Sequence, residues 1–316
     1  MKRRLISWAS RLFARWSTQP RLTAVTFHRF GAVSGITRDL IRHHISFLKE
    51  HHSMVLPRDL DSVTPRRRLA TVTVDDCHRD IYDNLFPVAR ELQAPFAIAV
   101  PSDFFLRQQW LWFDKFYWIL EHLRGPRTVE LGGVRYEIEP PAAPKKLKEF
   151  FKHQQPRERD AALDEFAKQV GLHVPSTPVD GYESVTFEQM REMLDSGLVE
   201  IMGHTESHTI ASVLVPSRLD RELRDCKRDL EKFAGIELPT FCYPNGNVGD
   251  FNADTTAAVR RAGFRTAFTS VNGINQVPLD PFLLKRIHAH AVPSAFEKEV
   301  SGLGALQEPF RGGVPA

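Results

Sequence analysis

The sequence predicts an α/β fold, an irregular (β/α)7 barrel of parallel strands that is TIM-barrel-like and carries a helical and hairpin insertion. Seven short runs rich in β-branched or aromatic residues recur along the chain, and each ends in polar, glycine or proline residues. Amphipathic helical patterns lie between several of these runs. Apolar strands that alternate with helices are typical of a parallel sheet covered by helices.

The position of the polar side chains favours a closed barrel over an open sheet. In a barrel, functional side chains come from the C-terminal ends of many strands. In an open sheet, they lie mainly at the one point where the strand order reverses. Since only about seven strands can be counted, we expect an irregular closing seam. The polar residues at or just past strand ends are His28, Asp75, Asp76, Ser102, Asp103, His204, His208, Asn245 and His288.

The chain begins with a basic segment, residues 1–20, that precedes the barrel. Arg11 and Arg15 interrupt its apolar positions, so it resembles neither a signal peptide nor a membrane span. Two interpretations remain open: a helix packed on the domain, or a basic amphipathic helix in peripheral contact with a membrane. The apolar positions near helical spacing are Leu5, Trp8, Leu12, Phe13 and Trp16.

The first three strands and two helices follow in alternation. The strands are predicted in LTAVTFHRF, LATVTVDD and APFAIAVPSDF, where β-branched and apolar residues dominate. The helices are predicted in DLIRHHISFLKEHH and DIYDNLFPVARELQ, where apolar residues recur every three or four positions. This half of the chain therefore supplies consecutive strand and helix units.

An insertion, about residues 104–195, separates the third and fourth strands. TVELGGVRYEIEP predicts a hairpin around Gly132 and Gly133, and KKLKEFFKHQQ predicts a basic helix. The aromatic segment QQWLWFDKFYWIL is either a sugar-stacking surface or a buried helix that docks the insertion. We expect the insertion to cover the barrel mouth rather than to form a separate domain.

The last four strands complete the predicted barrel. They lie in LVEIMGHTESH, LPTFCYPNGN, FRTAFTS and FLLKRIHAHA. Three helical patterns of this half, TFEQMREMLDSG, SRLDRELRDCKRDLEKFAG and ADTTAAVRRAG, end in glycine as helix C-termini often do. The barrel is thus assigned to residues 21–295, and residues 296–316 form a C-terminal tail.

Composition restricts the partners and the compartment. Lysine and arginine number 42 against 39 aspartate and glutamate, and a net charge of +3 gives no support for a nucleic-acid partner. The cysteines Cys77, Cys226 and Cys242 form neither a CxxC pair nor an even disulfide framework, which favours a reducing compartment. We expect a cytoplasmic protein, at the inner membrane face if residues 1–20 bind a membrane; nothing indicates the oligomeric state.

Two motifs carry candidate chemistry. Asp75 and Asp76 end a strand, either as a surface turn with a helix cap or as a pair in a pocket that needs a cation. His204 and His208 are four apart, which we expect to place both imidazoles on one side of a helical turn. If Asp76 joins the two histidines, the set matches an open zinc site and leaves Asp75 as a base. The metalloprotease motif HExxH is absent, because Glu206 occupies the central position.

At these residues the sequence resembles the polysaccharide deacetylase family, also described as the NodB-homology domain or carbohydrate esterase family 4. TVTVDD is similar to its first motif, T-F-D-D, and GHTESH is similar to its second, H-[ST]-x-x-H. FCYPNG and VTFHRF resemble segments of the branch that has F-x-Y-P-x-G and Y-H-R. The resemblance covers about residues 22–290, interrupted by the insertion.

This resemblance implies an irregular barrel that removes N-acetyl groups from saccharides with one divalent ion, zinc or a similar metal. Carried over by position, Asp75 is the catalytic base, and Asp76, His204 and His208 are the metal ligands. Asn245 stands where the family often has tyrosine, and its backbone N–H would form the oxyanion hole. His28, Tyr243 and Asn245 are expected to contact substrate, although His28 can also orient Asp75 or be a structural histidine.

The sequence also departs from the family pattern. Cys77 replaces the usual glycine after the paired aspartates, and Cys242 replaces an arginine that orients the base; each is either a small buried residue or a thiolate that competes for the metal. Arg286 is expected to take over the orienting role. His288 is the nearest candidate for a general acid, although His290 has the same strand parity.

The leading hypothesis is a metal-dependent hydrolase that acts on the non-peptide C–N bond of an N-acetylated polysaccharide, oligosaccharide or glycolipid. One alternative is a catalytically impaired barrel that binds saccharide or a partner protein, with Cys77 and Cys242 disabling the site. Another keeps the metal and changes the reaction to O-deacetylation.

Overall fold

The computed structural model describes residues 2–16, 19–32, 34–60, 67–179 and 181–303. The helices within these ranges are α1 (Lys2–Trp16), α2 (Arg38–His51), α3 (Phe86–Leu92), α4 (Ser102–Arg107), α5 (Trp112–His122), α6 (Lys145–Lys152), α7 (Pro156–Gln169), α8 (Phe187–Asp195), α9 (Pro216–Ala234), α10 (Ala253–Arg261) and α11 (Pro293–Ser301). The strands are β1 (Arg21–Phe27), β2 (Ser53–Met54), β3 (Arg68–Asp75), β4 (Phe96–Val100), β5 (Arg127–Leu131), β6 (Val134–Ile138), β7 (Val199–Gly203), β8 (Thr240–Cys242), β9 (Thr266–Asn272), β10 (Asn275–Gln276) and β11 (Leu284–His288).

Seven parallel strands close into a ring, which confirms the predicted barrel. Their order around the ring is β1, β3, β4, β7, β8, β9 and β11, and β11 pairs back to β1. The closing seam is irregular as expected, because β11 shifts register against β9 between Leu284 and Arg286. The short β2 extends beside β3, and β10 pairs antiparallel with the start of β1.

Side chains along the barrel strands alternate between the outer face, where they pack in two clusters, and the barrel interior. Those facing outward pack under the helices, whereas those facing the interior form a separate, smaller core that contains several alanines. Because this alternation has a period of two, Asp75 has the parity of Leu69, and Arg286 has the parity of Leu284. Strand geometry therefore directs both side chains into the barrel at its C-terminal end.

The insertion has its own hydrophobic core. It comprises α5, the β5–β6 hairpin, α6 and α7, and the hairpin was predicted around Gly132 and Gly133. Buried residues from all of these elements, among them Phe116, Val129 and Phe166, form one cluster. The insertion therefore packs as a unit.

The two ends of the described chain pack against each other. In α1, Ser10 and Ala14 are buried, and Arg11 forms an ion pair with Glu297 of α11. Residues 296–303 of the predicted C-terminal tail lie in or directly after α11, whereas residues 304–316 lie outside the described residues, as do residues 1 and 17–18 of the predicted N-terminal segment. Within the described ranges, no helix combines the length and apolar character that crossing a membrane requires.

Candidate active site

A cavity of about 200 Å³ opens at the C-terminal rim of the barrel. One side is formed by residues at the ends of four strands, and the other by the insertion helices α5 and α6. The insertion therefore borders the barrel mouth, as the sequence predicted. The lining residues are His28, Asp75, Asp76, Trp112, Phe113, Tyr117, Lys148, Lys152, His204, His208 and Asn245.

Asp76, His204 and His208 form a compact, buried group. The Oδ1 atom of Asp76 lies 3.0 Å from His208 Nε2 and 3.7 Å from His204 Nε2. The expected helical turn between the two histidines is wrong, because residues 204–208 form a loop in which Thr205 and His208 have φ of 59° and 52°. Left-handed backbone at both positions turns the chain so that the imidazole centroids lie 4.7 Å apart.

This group fits a divalent cation. Asp76 Oδ1 is buried and has no hydrogen-bond partner among the described residues. His204 donates Nδ1–H to the Cys242 carbonyl at 2.7 Å, so its Nε2 lone pair faces the group. Burial and the neighbouring His208 lower the pKa of His204 to about 4, which keeps its imidazole neutral. Two imidazole nitrogens and one carboxylate oxygen suit zinc or a similar metal.

Asp75 is held by Arg286 from inside the barrel. The guanidinium donates from Nη1 to Oδ1 at 2.7 Å and from Nη2 to Oδ2 at 2.8 Å. Burial alone raises the pKa of Asp75, but Arg286, followed by His28, outweighs it and holds that pKa well below its usual range. Arg286 therefore contacts both oxygens of the carboxylate that the sequence predicted it to orient.

The two cysteines flanking the site have different surroundings. Cys77 packs in the core between strands and helices, and the cavity does not include it. The Cys242 thiol points into the barrel and donates to Asp75 Oδ1 at 3.7 Å. Burial raises the pKa of both thiols, which favours their protonated forms. Cys242 is nevertheless close enough to share a site, since its Sγ lies within 4.8 Å of ligand atoms of Asp75 and His204.

His28 and His288, two histidines predicted to belong to the site, stack on each other. His28 lines the cavity, has a half-exposed side chain, and places Nε2 3.3 Å from Asp75 Oδ2. His288 stacks on His28 with ring centroids 5.9 Å apart, and its Nε2 lies 3.4 Å from the Ser270 carbonyl. Of these two histidines, only His28 lines the cavity.

The third motif contributes Asn245 but not the Tyr243 side chain. Tyr243 packs against Phe241 and Phe251 in the outer core and does not line the cavity. Asn245 lines the cavity with φ of 60°, and within the described chain no acceptor takes its backbone N–H. A free N–H at this position has the chemistry that an oxyanion hole requires.

Sequence reasoning missed Glu222, which holds the histidine loop from one side. Buried Glu222 of α9 accepts hydrogen bonds from the backbone N–H groups of Glu206 and Ser207 at 2.8 and 2.9 Å. From the other side, the Ser102 and Asp103 N–H groups donate to the carbonyls of residues 205 and 206. The buried role of Glu222 could not be predicted from the sequence, because a glutamate in a charged amphipathic helix ordinarily faces solvent.

Backbone strain is concentrated at this rim. Of the seven non-glycine residues with positive φ in the described ranges, Gln93 and Gln108 end helices, and the other five lie at or beside the site. Each such conformation costs on the order of 1–3 kcal/mol and persists where the surroundings enforce it. Strain gathered at one place is typical of a functional site. The five residues are Asp76, Cys77, Thr205, His208 and Asn245.

One protein-family model matches part of the chain. Residues 161–267 match the family described as polysaccharide deacetylase, a segment that includes His204, His208 and the third motif but begins after Asp75 and Asp76. A search of curated proteins returned no significant match.

Solved structures share the fold at low sequence identity. The Streptococcus pyogenes deacetylase PplD in complex with acetate is 16% identical, with a TM-score of 0.58 over 92% of this chain and 100% of that one. IcaB from Ammonifex degensii is 17% identical, with a TM-score of 0.57 over 88% and 97%. A de-N-acetylase from Aggregatibacter actinomycetemcomitans is 16% identical, with a TM-score of 0.52 over 86% and 95%. Together with the family match, the shared fold confirms the resemblance that the motifs indicated, and the chain has the barrel fold of these solved deacetylase structures.

Proposed function

We propose that this protein is a metal-dependent carbohydrate deacetylase that hydrolyses the N-acetyl group of a saccharide. The observation that carries the proposal is the Asp76, His204 and His208 group beside an Arg286-held Asp75 in one cavity. One divalent ion, preferably zinc, would be held by these three residues. When bound there, such an ion acts as a Lewis acid and lowers the pKa of a coordinated water.

The other residues of the cavity divide the remaining chemistry. Asp75 is ionised at neutral pH, so it can take a proton from the attacking water, and Arg286 fixes the direction of its oxygens. The Asn245 N–H is the candidate donor to the oxyanion. His28 lies beside Asp75 and can protonate the leaving amine, whereas His288, the general acid expected from the sequence, lies behind it and positions its ring.

The insertion supplies the wall that faces the sugar. Trp112, Phe113 and Tyr117 of α5 line the cavity opposite the carboxylates. Aromatic faces pack against the apolar C–H faces of sugar rings, so this wall suits an acetylated saccharide. Other aromatic residues of α5, such as Phe116, are buried in the insertion core, so the segment also docks the insertion.

The proposal is tested first through the metal. We expect about one divalent ion per chain after purification without added metal, and its loss from the double variant His204→Ala and His208→Ala. A matched control replaces the exposed His153 and His173 by alanine and should retain the ion. A native chain that takes up no ion, even when zinc is offered, contradicts the proposal.

Activity then separates the candidate reactions. Acetate release from N-acetylated and O-acetylated saccharides should be compared side by side with the metal-loaded protein. We expect release from the N-acetyl substrate, and faster turnover of the O-acetyl substrate would assign an O-deacetylase. A metal-loaded chain that binds saccharide and releases no acetate would support the non-catalytic barrel, although Cys77 does not reach the cavity to block it.

We also propose a cytoplasmic location. Cys77, Cys226 and Cys242 are free and buried, which fits a reducing compartment. Fractionation of the expressing cells tests this, and recovery mainly outside the cytoplasm would contradict it.

A further inference from the structure

Helix α1 leaves an apolar stripe in solvent. The side chains of Leu5, Trp8 and Leu12 are 59%, 65% and 42% exposed. Their spacings of three and four residues place them on one face of the helix, while Ser10 and Ala14 lie buried against the barrel. A tryptophan exposed to this extent beside two leucines is a contiguous apolar surface, which soluble proteins ordinarily keep for binding.

The charged residues of α1 itself are all basic, and of these Arg11 is ion-paired with Glu50 of α2 and Glu297 of α11. The first 38 residues contain eight lysine or arginine residues and no aspartate or glutamate, and the first acidic residue is Asp39. Five of the eight basic residues fall within residues 2–16. An apolar stripe in a wholly basic helix complements an anionic lipid surface, whose headgroups attract the cations while the apolar side chains enter the interface.

The helix is fixed to the barrel with its N-terminal half near the active-site rim. Trp8 shares a groove with Val292 and Pro293, which follow the C-terminal end of β11. At the other end of α1, the Ala14 carbonyl accepts a hydrogen bond from Arg68 at the start of β3. Because β3 and β11 run parallel in the barrel, α1 extends from the catalytic rim toward the opposite face.

We propose that α1 binds the surface of an anionic membrane, with Leu5, Trp8 and Leu12 inserted at the headgroup boundary and the cavity mouth beside the lipid. This inference does not rest on the deacetylase proposal, because it depends only on the exposed stripe and its charge. An active site near a lipid surface would meet saccharides that are anchored there.

The test is vesicle co-sedimentation of the full chain. We expect binding to vesicles of phosphatidylcholine mixed with phosphatidylglycerol, weaker binding to phosphatidylcholine alone, and a further loss at high salt. The double variant Leu5→Ser and Trp8→Ser should bind the anionic vesicles more than about tenfold more weakly. A matched double variant, Ile236→Ser and Val248→Ser, removes exposed apolar side chains elsewhere and should bind as the native chain does.

Three results would overturn the proposal. They are equal vesicle binding by the Leu5 and Trp8 variant, binding that ignores lipid charge and salt, and a native dimer that this variant dissociates without any vesicle binding. The last result would make the stripe a subunit interface. Circular dichroism and metal content, measured on every variant, exclude misfolding as the cause of a loss.

Discussion

At the scale of single residues, the site depends on a fully buried arginine. Arg286 donates to both oxygens of Asp75, to Thr26 and Thr73 hydroxyls, to the Thr269 carbonyl and to the Ser270 hydroxyl. Burial alone lowers the pKa of Arg286, but Asp75 outweighs that effect and the pKa rises. A cation satisfied on every side fixes the carboxylate in position and keeps it ionised.

Replacement of Arg286 by lysine should shift the pH dependence of activity. Lysine keeps a charge but loses the paired hydrogen bonds, so the pKa of Asp75 should rise toward its ordinary value. Because Asp75 acts as a base only when ionised, the acidic limb of kcat/KM should move to higher pH, with a loss of about 10- to 100-fold. Arg228→Lys, at an exposed position, is the control. An unshifted acidic limb would show that Arg286 does not set the ionisation of Asp75.

Replacement of Asp75 by asparagine should separate chemistry from metal binding. Asparagine keeps the shape of the side chain but cannot take a proton, so kcat should fall by about 10²- to 10⁴-fold. The metal content should stay near that of the native chain, because Asp76, His204 and His208 remain. Metal analysis and acetate release on one preparation test both statements, and full activity in this variant would remove Asp75 from the mechanism.

Buried Glu200, at the opposite end of the barrel from the site, should make the free energy of unfolding depend on pH. Burial raises the pKa of Glu200 to about 7, although the Arg58 N–H and the Thr240 hydroxyl donate to it. The folded protein therefore binds a proton that the unfolded chain releases, and the free energy of unfolding should fall as pH rises from about 4.5 to 7.

Glu200→Gln should remove this dependence. The variant should gain about 1–3 kcal/mol over the native chain near pH 8 and differ little near pH 5. Urea unfolding at both pH values measures the difference. A variant that is less stable than the native chain near pH 8 would mean that the ionised carboxylate stabilises the fold.

Site residues could be predicted from the sequence where a strand pattern fixes their position. The paired aspartates end a buried strand, and Arg286 and His204 share parity with interior residues, so the alternation of strands directs them to one rim. The cavity wall contributed by Lys148 and Lys152 was not predictable, because it depends on how the insertion folds over the barrel.

At the scale of elements, the loop between β7 and α9 places two of the three candidate metal ligands. The loop carries His204 and His208, and left-handed backbone at Thr205 and His208 takes the place of the predicted helical turn. A histidine spacing of four residues is compatible with either form, so the sequence alone favoured the commoner one. The loop is held by Glu222, which lies on another element and 14 positions beyond His208 in the sequence.

Glu222→Gln should therefore weaken metal binding without touching a ligand. The amide has only one acceptor oxygen, so its NH2 group must face either the N–H groups of Glu206 and Ser207 or the Arg218 guanidinium, and the loop should shift. Loss of such supporting hydrogen bonds ordinarily weakens metal affinity by about 10- to 100-fold. Titration with zinc measures the affinity, with Glu200→Gln as a control for a buried carboxylate away from the site. Unchanged affinity would show that the loop holds its shape without Glu222.

All seven barrel strands were predictable, because each is a short apolar run bounded by polar, glycine or proline residues. Helix α7 was not distinguished within the insertion, although Pro156 at its first turn and the spacing of Leu163, Phe166 and Ala167 are typical helix signals. The strand pattern recurs seven times around the barrel, so each strand supports the assignment of the others. A helix in the insertion has no such recurring pattern to support its assignment.

At the scale of the whole molecule, two cores meet at one buried cation. The insertion core is separate from the barrel cores, and Arg159 of α7 reaches from one to the other. Its Nη2 donates to the Thr209 hydroxyl at 2.8 Å and to the Ser207 carbonyl at 3.3 Å, and its guanidinium lies over the Trp112 ring. Arg159 therefore links the aromatic wall of the cavity to the histidine loop.

Arg159→Met should loosen the insertion more than the barrel. Methionine keeps much of the apolar contact with Trp112 but loses both hydrogen bonds to residues 207 and 209, so the insertion should open more often while the barrel stays closed. In hydrogen exchange measured by mass spectrometry, peptides from residues 112–169 should exchange faster than in the native chain, and peptides from β3 and β4 should change little. KM for the acetylated saccharide should rise, because the aromatic wall is then held less firmly.

Arg157→Met makes the same substitution at an exposed position of the same helix and should leave both exchange and KM unchanged. Both variants introduce methionine, but only Arg159→Met removes the hydrogen bonds to residues 207 and 209. A difference between them is therefore due to those contacts. If Arg159→Met accelerates exchange equally in the insertion and in the barrel strands, the two cores unfold as one cooperative unit. In that case the insertion would be part of the barrel's folding unit. The aromatic residues that it contributes to the cavity could then not move independently of Asp76, His204 and His208.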